Sequence, residues 1–163
     1  MNHTVVAIAT ATLTALSLWA MSAPVALAAD TPEPAPVKAT APASPLAAAR
    51  AHIKAKNWPS AIDELRRVNA TADADWNNLM GFALRKQATP DLDGAQRFYD
   101  TALSINPQHR GALEYSGELA LMRGDLATAE SRLALLSTAC DRGCDELDDL
   151  KKAVARFKAN GKL

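Results

Sequence analysis

Ala61, Ala95 and Ala129 are spaced 34 residues apart, and their neighbours keep the same interval: Asn57/Asp91/Asp125, Trp58/Leu92/Leu126, Leu65/Tyr99/Leu133 and Val68/Ala102/Leu136. A fixed period of this length restricts the fold more tightly than any composition. It is the length of a helix-turn-helix unit, which cannot bury its apolar face alone and gains stability by stacking on the next. Such arrays serve as binding surfaces far more often than as catalysts.

The repeating residues divide into roles. Asn57, Asp91 and Asp125 predict N-caps, whose side-chain oxygens accept from free backbone N–H groups at a gain of about 1 kcal/mol each. Trp58, Leu92 and Leu126 follow as first buried side chains, and Leu65, Tyr99 and Leu133 extend the stripe one turn beyond the alanines. The alanines are small because the two helices of a unit cross closely there. In the second unit the helix ends at Ser104-Ile105-Asn106-Pro107, and Pro107 suits the first turn of the next helix. Gly124 supplies the tight turn before Asp125. Ala, Leu and Arg dominate while Ile, Val and aromatics are sparse, which favours helix over strand. The expected class is all-α, with three antiparallel helix-turn-helix repeats followed by a capping helix.

The stretch Gly94-Ala95-Gln96-Arg97-Phe98-Tyr99-Asp100-Thr101-Ala102-Leu103-Ser104-Ile105-Asn106-Pro107 resembles the second helix of a tetratricopeptide repeat. Gly117, Gly124-Asp125-Leu126 and Ala129 reproduce that family's Gly, turn and Ala spacing, and Trp76-Asn77-Asn78-Leu79-Met80-Gly81 is similar to its first-helix signature with one residue extra. The resemblance spans about residues 46–138 and implies a right-handed helical solenoid. Unit one departs from it, with Ala49 where Gly is expected and no large aromatic opening its first helix. In unit two Gly81 lies 14 residues before Ala95, whereas Gly117 lies 12 before Ala129. Either the loop 87–93 carries two extra residues or Ala83 takes the glycine's place. The options differ by a rotation of about 200° for the helix 75–86.

The chain ends read differently. Residues 1–29 contain no Asp, Glu, Lys or Arg, and Val5–Met21 is largely apolar. With Ala26-Leu27-Ala28 as a small-x-small site, this predicts an export signal cleaved after Ala28 or Ala29, although the n-region lacks Lys and Arg. An uncleaved inner-membrane anchor is the alternative, since about 20 apolar residues span a bilayer. Residues 30–45 hold five prolines and no periodic apolar face, which predicts a linker of about 50 Å if extended. The folded domain is expected at 46–160. Its last segment from 145 begins with Asp145, Glu146, Asp148 and Asp149 and ends with Lys151, Lys152, Arg156 and Lys158, complementing a helix dipole. Leu147, Leu150, Val154 and Phe157 form its apolar stripe. These features predict a solvated capping helix rather than an acidic binding patch.

Formal charge balances at 18 basic against 18 acidic residues, which argues against an electrostatic nucleic-acid binder. Cys140 and Cys144 are the only cysteines. In an oxidising compartment so close a pair reads first as a disulfide that fixes how the cap leaves the third repeat. Free thiols or a metal site remain alternatives, although two cysteines with no nearby His fall short of about four ligands. The histidines, His3, His52 and His109, form no catalytic or metal motif, and the scattered glycines form no phosphate-cradling loop. Asp91-Leu92-Asp93-Gly94 lacks the remaining ligands of a calcium loop. No enzyme, cofactor or metal site is expected.

In tetratricopeptide proteins the first helix of each pair lines a concave groove. The resemblance therefore implies partner contacts at Arg50 and Lys54 in unit one and at Glu114, Glu118 and Met122 in unit three. In unit two it implies Asn78, Phe82 and Arg85, under the Gly81 register. Such a groove would grade from basic to acidic with Phe82 as an apolar anchor, suited to a peptide of mixed charge. The expected function is a non-enzymatic protein- or peptide-binding adaptor in the bacterial envelope, located in the periplasm. A thiol-centred role of Cys140/Cys144 and a self-associating structural protein are the alternatives.

Overall fold

The computed structural model describes residues 44–162. The expected export signal, and the linker up to residue 43, lie outside these residues. The described chain is all-helical: α1 Ala47–Lys54, α2 Trp58–Val68, α3 Ala74–Lys86, α4 Leu92–Ile105, α5 Arg110–Met122, α6 Leu126–Ala139 and α7 Asp145–Asn160, with no strand among the described residues.

Local chemistry sets the helix starts. Asn57 Oδ1, Asp91 Oδ1 and Asp125 Oδ1 accept from the backbone N–H of Ser60, Gly94 and Thr128 at 3.3, 2.8 and 2.9 Å, so all three caps act at the 34-residue interval. Asp73 caps α3 in the same way through Trp76 N, and the imidazole of His109 caps α5 through Ala112 N. Pro107 is not in the first turn of α5, as the sequence suggested. It lies in the turn between the Asn106 C-cap and the His109 N-cap, where its missing N–H costs no ladder bond. Gly124 and Gly143 both have positive φ, at 80° and 86°, in the turns before α6 and α7.

Each helix packs on its sequence neighbour, and α1, α3, α5 and α7 also touch in succession. No Cα of α2 approaches α4 within 8 Å, nor one of α4 approaches α6. The first helices therefore form a closer row than the second helices. Ala61, Ala95 and Ala129 are fully buried, as are Leu65 and Tyr99 one turn on, while Trp58, Leu92 and Leu126 are only half-buried. One apolar core joins α1–α3 around Ile62, Leu65, Trp76 and Met80, where the Trp76 indole donates to Leu65 O at 2.7 Å. A second joins α5–α7 around Leu113, Leu121, Leu136 and Leu150. A third, smaller cluster of Ala95, Tyr99 and Leu119 joins α4 to α5.

The ambiguity over α3 is decided by loop length. Five residues, 87–91, separate α3 from α4, against three, 123–125, between α5 and α6. The two extra residues are in the loop, and Gly81 keeps its place against the α3 partner helix. An added Cβ there would lie 2.7 Å from the Tyr99 ring and 3.0 Å from Ala95 O. Ala83 instead joins the core shared with α1 and α2.

Candidate functional site

The α3 and α5 faces that meet along the first-helix row hold most of the expected contact residues. Phe82 lies half-buried between the ring of Tyr115, with centroids 4.5 Å apart, and the edge of Trp58 at 5.8 Å. One turn on, the Arg85 guanidinium lies beside this ring pair, 5.4 Å from the Tyr115 centroid and 5.7 Å from that of Phe82, a cation–π contact removed from water. Arg85 is only 4% exposed. Its Nη2 lies 2.7 Å from Glu118 Oε2, and its Nη1 is 4.0 Å from Met122 Sδ. The Arg85–Glu118 contact is an ion pair by distance, but its angle leaves Nη2 outside hydrogen-bond geometry, and Nε and the buried Tyr99 hydroxyl also lack partners. Arg85 is thus spent holding α3 to α5 rather than free to meet a ligand.

Asn78, a turn before Phe82, is buried with its amide against Gly111 of α5, where an added Cβ would come within 2.9 Å of Nδ2. Its Oδ1 has no hydrogen-bond partner. Glu114, one turn after Gly111, is 7% exposed, and its carboxylate oxygens are not among the sealed side-chain atoms that lack a partner. Burial pushes its carboxyl up to about 8, and the like charges of Glu118, Asp149 and Glu146 push the same way, against Arg85. Burial also raises the Tyr115 phenol. Met122 is exposed at the end of α5.

The unit-one positions stand apart from this cluster. Arg50 donates from Nη2 to Asp75 Oδ2 at 2.6 Å, while His109 Nε2 donates to Asp75 Oδ1 at 2.9 Å. The imidazole tautomer follows from Nδ1 accepting the Ala112 N–H. Asp75 thereby ties α1 and the start of α5 to α3. Lys54 is exposed in the last turn of α1 with no ion-pair partner among the described residues.

Sequence reasoning passed over Tyr115, Glu146, Asp149, Asp75 and His109 as members of this face. Tyr115 sits beside Glu114, and 33 residues separate it from Phe82, so the aromatic pair was within reach of the repeat spacing. The two α7 acids were absorbed by the dipole reading of the cap. Beyond them, Glu118, Asp149, Lys152, Ala155 and Arg156 line an open cavity of about 660 Å³ between α5 and α7.

Cys140, the C-cap of α6, and Cys144, the N-cap of α7, are joined by a disulfide with Cα atoms 5.7 Å apart. The Glu146 carboxylate lies within 4.8 Å of both sulfurs, but bonded sulfurs offer no thiolate to a metal. The bridge joins two helix ends across Gly143.

No protein-family model matches the chain, and no curated protein matches it either. No helix among the described residues is long and apolar enough to cross a membrane.

Proposed function

We propose that the chain is a tetratricopeptide-like adaptor, exported to the bacterial envelope, that holds a protein or peptide segment against its first helices and catalyses no reaction. The observation that carries this reading is the asymmetry between helix rows. The first helices touch in succession and the second helices do not, which is the packing expected where a right-handed array curves with its first helices inward. The inward row bears an aromatic anchor, Phe82 with Tyr115, exposed Met122 and charges of both signs. Aromatic anchors carry most of the energy in such interfaces, and charges set orientation. The apolar 1–29 segment supports export, and the disulfide is the form an oxidising compartment favours.

A photo-crosslinking side chain in place of Met122, compared with one in place of Leu135 on α6, tests the groove. Both positions are exposed, at 45% and 48%, so neither substitution disturbs the core. In the native cells, Met122 should trap one dominant partner that Leu135 does not. The same species from both positions, or none from either, would sink the groove assignment, and adducts of the protein with itself would favour self-association.

A further inference from the structure

We infer that the gap between the second helices α2 and α4 is a small-ligand site, which takes a compact aromatic acid with one free carboxylate. It goes beyond the adaptor reading and does not depend on the first-helix contacts. Since no Cα of α2 comes within 8 Å of α4, the side of α3 behind them is left partly uncovered. Trp76, Met80 and Leu84, at i, i+4 and i+8, bring one stripe of α3 to this opening. Phe98 of α4 closes it from the side, its ring edge-on to Trp76 at 5.8 Å. These four side chains line a cavity of about 280 Å³.

The rest of the lining is basic. Arg66 of α2 and Arg97 of α4 reach the same cavity, and both are exposed. Arg66 has a loose pair with Asp63 at 3.6 Å, where both side chains are mostly in water. Arg97 has no ion-pair partner among the described residues. Asp91 also lines the cavity, but its Oδ1 accepts the Gly94 N–H at 2.8 Å as the α4 cap.

The next gap along the array shows how this one differs. Thirty-four residues after Arg66 stands Asp100, and thirty-four after Phe98 stands Arg132. Arg132 Nη2 lies 3.7 Å from Asp100 Oδ1, an ion pair that spans α4 and α6. In the α2–α4 gap the same two positions are a cation and a ring, and Arg97 adds a second cation. No ion pair joins α2 to α4 among the described residues. An anion that ties this gap must come from outside the fold.

Apolar walls beside two guanidiniums narrow the choice of anion. A bare phosphate would use the cations and leave the walls empty, and a neutral ring would do the reverse. An arylalkanoic acid does both: its ring joins the Trp76–Phe98 pair and the Met80 thioether, and its carboxylate takes a guanidinium fork. The volume lies at the lower edge of small-ligand cavities, which start near about 300 Å³, so one ring fits and a long acyl chain does not.

The test is a titration of the protein carrying carbon-13 methionine methyl groups. Met80 lines this cavity, while Met122 lies exposed at the end of α5 and reports on the first-helix face. The probe 3-phenylpropanoate should shift the Met80 signal and not that of Met122, with a Kd of about 1 mM. Its neutral amide should bind about tenfold more weakly. Arg66→Gln combined with Arg97→Gln should erase that difference and keep the helical circular dichroism. Arg67→Gln, just outside the lining, should leave the difference unchanged. Equal binding of acid and amide, an equal loss in Arg67→Gln, or no Met80 shift with any probe at about 10 mM would each overturn the site. Inorganic phosphate acting as well as the acid would reduce it to a simple anion site. The tripeptide acetyl-Ala-Ala-Phe, with a free carboxylate, binding tenfold more tightly would overturn the small acid in favour of a chain terminus. A shift at Met122 alone would overturn this site and leave the adaptor reading standing.

Discussion

Helix α5 has two seams, and they handle acid in opposite ways. Toward α3, Glu118 meets the buried guanidinium of Arg85, itself set beside the Phe82 and Tyr115 rings. Toward α7, Glu114 meets Glu146 and Asp149, and no base from either helix pairs with it. Lys152 spends its charge on Asp149, at 3.1 Å, on the outer side. The glycines repeat the contrast. Gly81 admits a rigid ring and a backbone carbonyl of α4, while Gly117 admits the two terminal methyl groups of Leu150. One seam is closed with compensated charge, and the other is packed by apolar contacts beneath an acidic rim in which Glu114 and Glu146 have no ion-pair partner among the described residues. A seam that leaves like charges together is kept at a cost in stability.

The largest effect should come from opening the compensated seam. Arg85→Ala leaves Glu118 without its cation and empties the space beside Phe82 and Tyr115. Breaking a buried pair from one side costs about 3 kcal/mol, at the lower end here because the Glu118 side chain keeps 22% of its exposure. Urea denaturation at pH 7 should show the loss, and Arg85→Met should recover part of it by refilling the space beside the two rings. A loss well below about 1 kcal/mol would mean that Arg85 does not close this seam.

Next in size are the glycines. Alanine in a helix interior gains up to about 1 kcal/mol over glycine, while overpacking costs about 1–3 kcal/mol. At Gly81 the new Cβ meets the Tyr99 ring at 2.7 Å and Ala95 O at 3.0 Å, and neither can swing aside. At Gly117 it meets Leu150 methyl carbons at 2.8 and 2.9 Å, which can turn about one side-chain bond. Gly81→Ala should therefore destabilise by about 2 kcal/mol and Gly117→Ala by about 1 kcal/mol or less. The reverse order in chemical denaturation would mean that the α5–α7 seam is the stiffer of the two.

These contrasts also mark what the sequence could convey. The period gave helix pairs, caps and buried alanines, because caps and close crossings each rest on one residue type at one position. Asn57, Asp91 and Asp125 perform as expected. The face of α3 was ambiguous because two loop residues shift a helix by more than half a turn, and the five-residue loop together with the packing of Gly81 on Tyr99 resolves it. The contact residues were legible as positions and not as chemistry. Arg85 reads from sequence as a groove cation, but it is buried and paired. Glu146 and Asp149 read as dipole partners of a cap, and only the packing of α7 on α5 sets them beside Glu114. A charge's partner across a seam depends on helix rotation and crossing, and neither is written in the spacing.

The uncompensated seam should show itself in the pH dependence of stability. The Glu114 carboxyl has an ordinary value of 4.5 and rises to about 8 in the fold. Between those values the unfolded chain has lost the proton that the folded chain retains. Its contribution to stability is thus full below 4.5, falls as pH rises, and is exhausted above about 8. With screening by the open groove, the fall should amount to about 2 kcal/mol. Glu114→Gln removes the slope, so the stability difference between variant and wild type should grow across this window. A difference that stays constant with pH would show that Glu114 titrates normally.

The smallest effect lies on α7 and separates the two sources of the Glu114 shift. Burial is the first cause, and the like charges of Glu118, Asp149 and Glu146 follow in that order. Glu146→Gln removes one like charge and leaves the packing of Leu147 and Leu150 intact. The Glu114 midpoint, followed by carboxyl carbon-13 resonances, should move downward but remain well above 4.5, because burial persists. Stability above pH 8 should rise by about 0.3 kcal/mol, the scale of a half-exposed charge contact. A midpoint that fell all the way to the ordinary carboxylate range would make the seam's acidity a matter of α7's charge alone. An unmoved midpoint would place Glu146 out of reach of Glu114 and confine the acidic rim to Glu118 and Asp149.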